Sequence, residues 1–138
     1  MIGELTAEET MTLAFVADRE LVSEARQAVR IYLGRPCPDV QLCLSELLAN
    51  VIRHVGEGTP VTVRLTRAAD GRTRLEVTDS GPPAVLVARD PGRYEETGRG
   101  LMLLDAIAER WGMVGETDGK TVWCELAAEE PPDTPRGF

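Results

Sequence analysis

Two neighbouring segments in the middle of the chain alternate apolar and polar residues, and this alternation limits the possible folds more than any other feature of the sequence. Residues 61–67 and 72–78 both follow it, and a four-residue link that ends in Asp70 and Gly71 joins them. A period of two gives each strand one apolar face, and a short link that contains Gly is typical of a β-hairpin. The sequence therefore predicts an antiparallel strand pair that buries one face.

Two helical patterns precede this hairpin. Apolar residues recur at helical spacing within residues 18–33, with Asp18 as the candidate N-cap and Gly34 directly after the last turn. A broader apolar stripe extends over residues 40–55, and Asp39 is the candidate N-cap of this second helix. The broad stripe indicates that the second helix buries more of its surface than the first.

The part of the chain after the hairpin contains a loop, a helix and another hairpin. Residues 80–97 show no usable period and are rich in Pro, Gly and Asp, so we expect a long loop of the kind that often carries function. Helical spacing resumes at Gly100 and extends to Trp111. Residues 113–126 are typical of a second hairpin, with its turn at residues 118–119.

The order of these elements predicts the architecture. A short strand over residues 12–16, at a sheet edge, comes before the helices, and helices and hairpins are grouped without β-α-β alternation. This grouping predicts an α+β fold, a two-layer sandwich of helices on one face of a mixed, mainly antiparallel sheet. We expect a single domain over residues 11–127, an N-terminal extension over 1–10, and an acidic, proline-rich, disordered tail over 128–138.

Composition excludes several classes of function. The net charge of −8 opposes nucleic-acid binding, which depends on Lys and Arg to neutralise phosphates. The sequence has no apolar run near the roughly 20 residues of a membrane span and no signal-peptide pattern, so we expect a cytoplasmic protein without membrane contact. Three cysteines and one histidine fit no familiar zinc spacing, and we expect reduced, partly buried thiols.

A row of polar residues lies on the second predicted helix. Glu46, Asn50 and His54 follow each other at intervals of four, away from the apolar stripe. A carboxylate one turn from a carboxamide can orient a water or hydroxyl beside an oxygen ligand for Mg²⁺. The alternative is an ordinary solvated polar face, with His54 packing near the helix C-terminus.

Asp79 stands at the end of the second strand of the first hairpin. The parity of the strand puts its side chain on the same buried side as Leu75 and Val77. A buried group that only accepts hydrogen bonds suits an exocyclic amine such as that of adenine, and Gly81 leaves room for a flat ring near the backbone. The alternative is a turn in which Asp79 caps its own backbone.

Two glycines flank Arg99 where the later helix begins. Gly98 and Gly100 offer unhindered backbone N–H groups at the positive end of a helix dipole, which is a possible phosphate cradle. No preceding strand makes this a dinucleotide-binding turn, and no lysine makes it a P-loop. The glycine pair also fits a simple turn, and Arg99 is either a phosphate contact or a solvated side chain.

Taken together and in order, ELLANVIRH at 46–54, DSG at 79–81 and GRGLMLL at 98–104 resemble the N, G1 and G2 boxes of the GHKL ATPase superfamily. Length and order are most similar to the branch of anti-sigma factors and serine kinases, small bacterial ATP-binding regulators. The segment GKTVWCEL at 119–126 resembles the last strand of that branch. The resemblance covers about residues 10–127.

The resemblance implies a Bergerat-type, histidine-kinase-like ATPase fold that binds ATP and Mg²⁺. Glu46 would be the general base or would orient the attacking group, Asn50 would be the Mg²⁺ ligand, and Asp79 would bind the adenine amine beside Gly81. Thr121 would support the adenine pocket through its hydroxyl, although strand parity does not say which face is the pocket. The implied nucleotide-binding set is Asn50, Asp79, Gly81, Gly98, Arg99, Gly100, Leu101 and Thr121.

For function, the resemblance implies a Mg-ATP-dependent serine/threonine kinase that holds a sigma factor or similar protein and phosphorylates a small antagonist in partner switching. One departure favours an alternative. Pro83 occupies a position that is glycine in many family members, and proline lacks an N–H and fixes φ. The alternative is a module that binds ATP and a protein partner without catalysis. Whether the chain forms a homodimer stays open.

Overall fold

The computed structural model describes residues 9–80 and 102–128. Over these ranges the chain forms five strands and three helices. The strands are β1 (Glu9–Val16), β2 (Pro60–Arg67), β3 (Thr73–Asp79), β4 (Arg110–Glu116) and β5 (Gly119–Leu126). The helices are α1 (Arg19–Leu33), α2 (Pro38–His54) and α3, of which residues 102–107 are described.

The five described strands form one sheet in the order β1-β2-β3-β5-β4, and every neighbouring pair is antiparallel. The two predicted hairpins therefore lie side by side, with β3 against β5. The predicted α+β sandwich is confirmed, and the sheet in the described ranges is antiparallel rather than mixed. β1 lies at the edge as expected, although it begins at Glu9, three residues before the predicted start.

The core lies between the sheet and the helices. α2 packs on α1, β3 and β5, and its broad apolar stripe supplies a large part of the buried surface. On the sheet, Val63, Leu65 and Leu75 are fully buried and point toward the helices. The opposite face of the sheet, here called the open face, carries the alternate and mostly polar residues of each strand.

The ends of α1 follow the sequence prediction, and the start of α2 corrects it. Asp18 Oδ1 accepts a hydrogen bond of 2.7 Å from the Glu20 N–H, and Gly34 ends the helix in the left-handed region with φ of 76°. For α2, the predicted N-cap Asp39 lies inside the first turn, because the helix begins at Pro38. Proline suits this first position, since its φ is helical and the N–H it lacks would have no partner there.

The helix predicted to extend from Gly100 to Trp111 ends earlier in the structure. The helix ends at residue 107, and Trp111 belongs to β4. The Glu109 N–H already donates to the Glu125 carbonyl at 2.8 Å, so pairing with β5 ends the helix. Helical spacing alone could not reveal this, since a short apolar run fits either a helix or a strand. The second hairpin is confirmed, with β4 longer than predicted and a turn at residues 117–118.

The open face near β3, β4 and β5 carries a network of charges around Glu125. Arg110 Nε donates to Glu125 Oε1 at 2.9 Å, and Arg74 Nη1 donates to Oε2 at 2.7 Å. The hydrogen bonds from Arg110, together with those from Arg74, lower the pKa of Glu125 against the opposing effect of burial. The Arg74 guanidinium also lies 4.3 Å from the centre of the Trp123 ring, a cation–π contact.

The three thiols, predicted to be partly buried, are almost completely buried, and no disulfide joins Cys37, Cys43 and Cys124 in the described ranges. A hydrogen bond to Cys43, together with burial, raises the pKa of the Cys124 thiol. No helix within residues 9–80 and 102–128 is long and apolar enough to span a membrane. Most of the predicted N-terminal extension, almost all of the long loop and nearly the whole tail lie outside the described residues.

Candidate functional site

Asp79 is the last residue of β3 and one of the few polar side chains in the core. Only 2% of the residue is exposed, and it lies on the helix side of the sheet with Leu75 and Val77. The burial predicted from strand parity is therefore confirmed. In the ladders Asp79 stands opposite Val61 of β2 and Lys120 of β5. A carboxylate so placed must have hydrogen-bond partners, because a buried charge without them is costly.

Lys120 supplies one of these partners. Its Nζ lies 2.8 Å from Asp79 Oδ2, and the two side chains are 16% and 1% exposed. Sequence reasoning missed this residue. The signal was available, because Lys120 is two positions before Val122 on the same strand and so shares its buried side. Lys120 is also the only lysine in the 138-residue sequence.

Gly119 makes the approach of β5 to Asp79 possible. Its φ is 154°, a region that side-chain-bearing residues rarely adopt, and a Cβ at this position would collide with the Asp79 carbonyl oxygen. Only glycine lets the strand begin so close to the end of β3. The following residue, Lys120, is thereby held beside the Asp79 carboxylate.

Thr121 lies on the open face of the sheet, whereas Asp79 lies on the helix side. Thr121 pairs with Thr78 in the ladder between β3 and β5, and the Oγ1 atoms of the two residues are 2.7 Å apart. The structure therefore does not bring Thr121 to the same face as Asp79. Its role in supporting the adenine pocket stays a prediction, and the side chain that does lie beside Asp79 is Lys120.

Glu46 and Asn50 lie one turn apart on α2, on a side that is only partly covered. Both residues are half-buried, while Leu47 and Val51 of the same helix point into the core. Arg53 Nη1 donates to Asn50 Oδ1 at 3.3 Å. The predicted separation of the polar row from the apolar stripe is confirmed. His54, the third residue of the row, is half-buried and ends the helix.

The side-chain oxygens of Glu46 and Asn50 are of the kind that Mg²⁺ prefers as ligands. The carboxylate of Glu46 and the amide oxygen of Asn50 are hard ligands, and an amide oxygen has two lone pairs, so the bond from Arg53 does not exhaust its capacity. Within the described ranges no group of three or more His, Cys, Asp or Glu residues is placed to hold a metal.

Five predicted site residues lie outside the described residues: Gly81, Gly98, Arg99, Gly100 and Leu101. The described chain resumes at residue 102, in α3. Leu104 is fully buried against the core. Leu104, four positions after Gly100, therefore anchors α3 on the same core that α2 covers.

A comparison with protein families identifies the kind of site. The family model described as histidine kinase-like ATPase domain matches residues 5–126. The chain belongs to this family. A GHKL-type ATPase domain implies ATP binding. In this histidine kinase-like ATPase domain the described candidates for binding ATP are Asn50 and the buried Asp79, and Glu46 is the candidate catalytic residue.

One curated relative of this histidine kinase-like ATPase domain is an uncharacterized protein of Streptomyces coelicolor. The two are 48% identical over 94 residues, which is 67% of this chain and 90% of the relative. The similarity thus extends over nearly the whole relative. Because that protein is uncharacterized, the relative supports the family and adds no substrate.

Proposed function

We propose that this histidine kinase-like ATPase domain is an ATP-dependent regulator of the anti-sigma-factor type that phosphorylates a serine or threonine on a small antagonist protein. The observation that carries the proposal is the placement of Glu46 and Asn50. They lie one turn apart on the partly exposed side of α2, and α2 packs directly on β3, the strand that ends in buried Asp79.

In this proposal each of the three residues has one task. Asp79 accepts a hydrogen bond from the adenine amine, and Asn50 offers its amide oxygen to Mg²⁺. When bound, Mg²⁺ neutralises charge on the phosphates of ATP. Glu46 receives or orients the proton of the attacking serine or threonine hydroxyl. The hydroxyl oxygen bonds to the γ-phosphorus, and ADP leaves.

The nature of the partners rests on the resemblance and on charge. The order of the boxes and the segment 119–126 resemble the anti-sigma-factor and serine-kinase branch, which supports a sigma factor or its antagonist as partner in the cytoplasm. The net charge of −8 makes a direct contact with nucleic acid unfavourable. Regulation would therefore act through protein partners rather than through DNA.

The test has two stages. Calorimetry with Mg-ATP measures binding, and transfer of labelled γ-phosphate to candidate antagonist proteins, isolated by affinity capture from the source cells with Mg-ATP, measures catalysis. We expect both, and we expect Glu46→Gln to lower the rate of transfer about 10²- to 10⁴-fold while ATP still binds. ATP binding without phosphate transfer to any captured partner would contradict the kinase proposal.

One feature of the sequence favours a second candidate function, a non-catalytic module that binds a protein partner when ATP is present. Pro83 stands where many members of the superfamily have glycine, and proline lacks a backbone N–H and fixes φ. The same Glu46→Gln variant separates the two candidates. If partner capture remains ATP-dependent and partner regulation is unchanged in the variant, the non-catalytic module is the correct function.

A further inference from the structure

The single lysine of the chain occupies an unusual place. The sequence has 15 Lys and Arg residues, and only Lys120 is a lysine. Its side chain is 16% exposed and ends at a carboxylate that is almost wholly buried. A buried ion pair is often no more stabilising than apolar residues of the same volume, so stability alone is a weak reason for this pair. The pair calls for a role in binding.

The chemistry of the pair suggests that role. A lysine ammonium has three donors and an ionised carboxylate has about four acceptor positions, and the contact between Nζ and Oδ2 uses one position on each group. The pair therefore presents a hydrogen-bond donor directly beside an acceptor. On adenine, the exocyclic amine is a donor and the adjacent ring nitrogen N1 is an acceptor, which is the complementary arrangement.

We propose that Lys120 is a second base-contacting residue: its ammonium donates to N1 of adenine while Asp79 accepts from the exocyclic amine. The proposal deepens the function above and rests on ATP binding at Asp79. Lys120 stays paired with Asp79 when the base is bound, because leaving would strand a buried carboxylate. The start of β5 lies directly against the Asp79 backbone, an approach that glycine at position 119 permits.

The test is a cycle of two proteins and two nucleotides. Wild type and Lys120→Met are titrated by calorimetry with ATP and with 1-deaza-ATP, in which a C–H replaces N1. We expect wild type to bind ATP about 10- to 100-fold more tightly than 1-deaza-ATP, the range for a hydrogen bond to a charged group. Lys120→Met should bind the two nucleotides with the same affinity.

The control is Arg64→Met, which removes a cation from the exposed side of β2, a strand that β3 separates from β5. It should keep the full preference for ATP. A purely structural role of Lys120 gives a different result: Lys120→Met would weaken both nucleotides equally and leave their ratio unchanged. An unchanged affinity ratio in Lys120→Met would overturn the proposal. So would a wild-type protein that binds ATP and 1-deaza-ATP equally well.

A second measurement needs no variant and remains decisive if Lys120→Met does not fold. Because the sequence has one lysine, protein grown with ¹³C-labelled lysine gives a single set of side-chain signals in NMR spectra. We expect saturating ATP to shift the Lys120 Cε signal clearly and 1-deaza-ATP to shift it much less. Equal shifts with both nucleotides would contradict a contact to N1.

Failure of this proposal is distinguishable from failure of the proposed function. If wild type binds no ATP, both the proposed function and the role of Lys120 are wrong. If ATP binds without any dependence on N1, only the role of Lys120 falls. If N1 discrimination is found without phosphate transfer, the base contact stands and the kinase proposal does not.

Discussion

Gly119 lies so close to Asp79 that a Cβ on Gly119 would collide with the Asp79 carbonyl oxygen. The conflict is with backbone rather than with a flexible side chain, and the φ of 154° disfavours any larger residue. We therefore expect Gly119→Ala to lower the free energy of unfolding by about 3 kcal/mol or more, in line with combined strain and overpacking. Urea denaturation measures it.

The control for this prediction is Gly115→Ala in the same hairpin. An added Cβ there meets no atom within 4 Å, so we expect a change within about 0.5 kcal/mol. A stable Gly119→Ala protein would mean that β3 and β5 can separate at this point.

The Asp79 carboxylate is predicted to be the main recognition group for adenine. In Asp79→Asn, half of the acceptor positions become donors and the partner of Lys120 loses its charge. We expect the affinity for ATP to fall about 10- to 100-fold, because a buried donor left without a partner costs about 1–3 kcal/mol. Calorimetry with Mg-ATP measures the loss. Glu76→Gln changes a carboxylate on the open face of the same strand and should leave the affinity unchanged.

Glu46 is predicted to act in transfer and not in binding. Glu46→Gln keeps the size and polarity of the side chain but cannot accept a proton, so we expect phosphate transfer to fall about 10²- to 10⁴-fold. The dissociation constant for ATP should stay within about threefold. Single-turnover transfer and calorimetry separate the two effects. Glu57→Gln, an exposed carboxylate just after α2, should change neither.

Glu125 is predicted to make the free energy of unfolding depend on pH. Its pKa is lowered in the folded protein, so its contribution to stability is complete above its unfolded pKa of about 4.3 and is lost as the pH falls through the folded value. Glu125→Gln should lower the free energy of unfolding by at most about 1 kcal/mol at pH 7, since the network is partly open to solvent.

The difference between wild type and Glu125→Gln should shrink below about pH 4, where the wild-type carboxyl becomes protonated. Urea titrations from pH 3 to 7 measure it. The control is Glu24→Gln, which changes an exposed carboxylate on α1. Its free energy of unfolding should depend on pH in the same way as that of wild type. A constant difference for Glu125→Gln would show that the charges around it do not contribute to folding.

Sequence patterns predicted the parts of this fold that depend on local spacing. The alternation of residues 61–67 and 72–78 depends only on pleat geometry, and it placed the hairpin and the buried side of Asp79 correctly. Trp111 shows the limit. It follows Ile107 at a helical interval, but it is in β4 because Glu109 already pairs with β5. A competing hydrogen-bond partner far along the chain is invisible to local periodicity.

By itself, the sequence determined the class of the fold, the polar row of Glu46 and Asn50, and the burial of Asp79, since each follows from the period of one element. Only the tertiary structure decided which residue meets Asp79. The answer depends on the register between β3 and β5, which brings together two side chains 41 positions apart. Register is set by many cross-strand contacts and by the close approach at Gly119, and a shift of one residue would have put Thr121 beside Asp79 in place of Lys120.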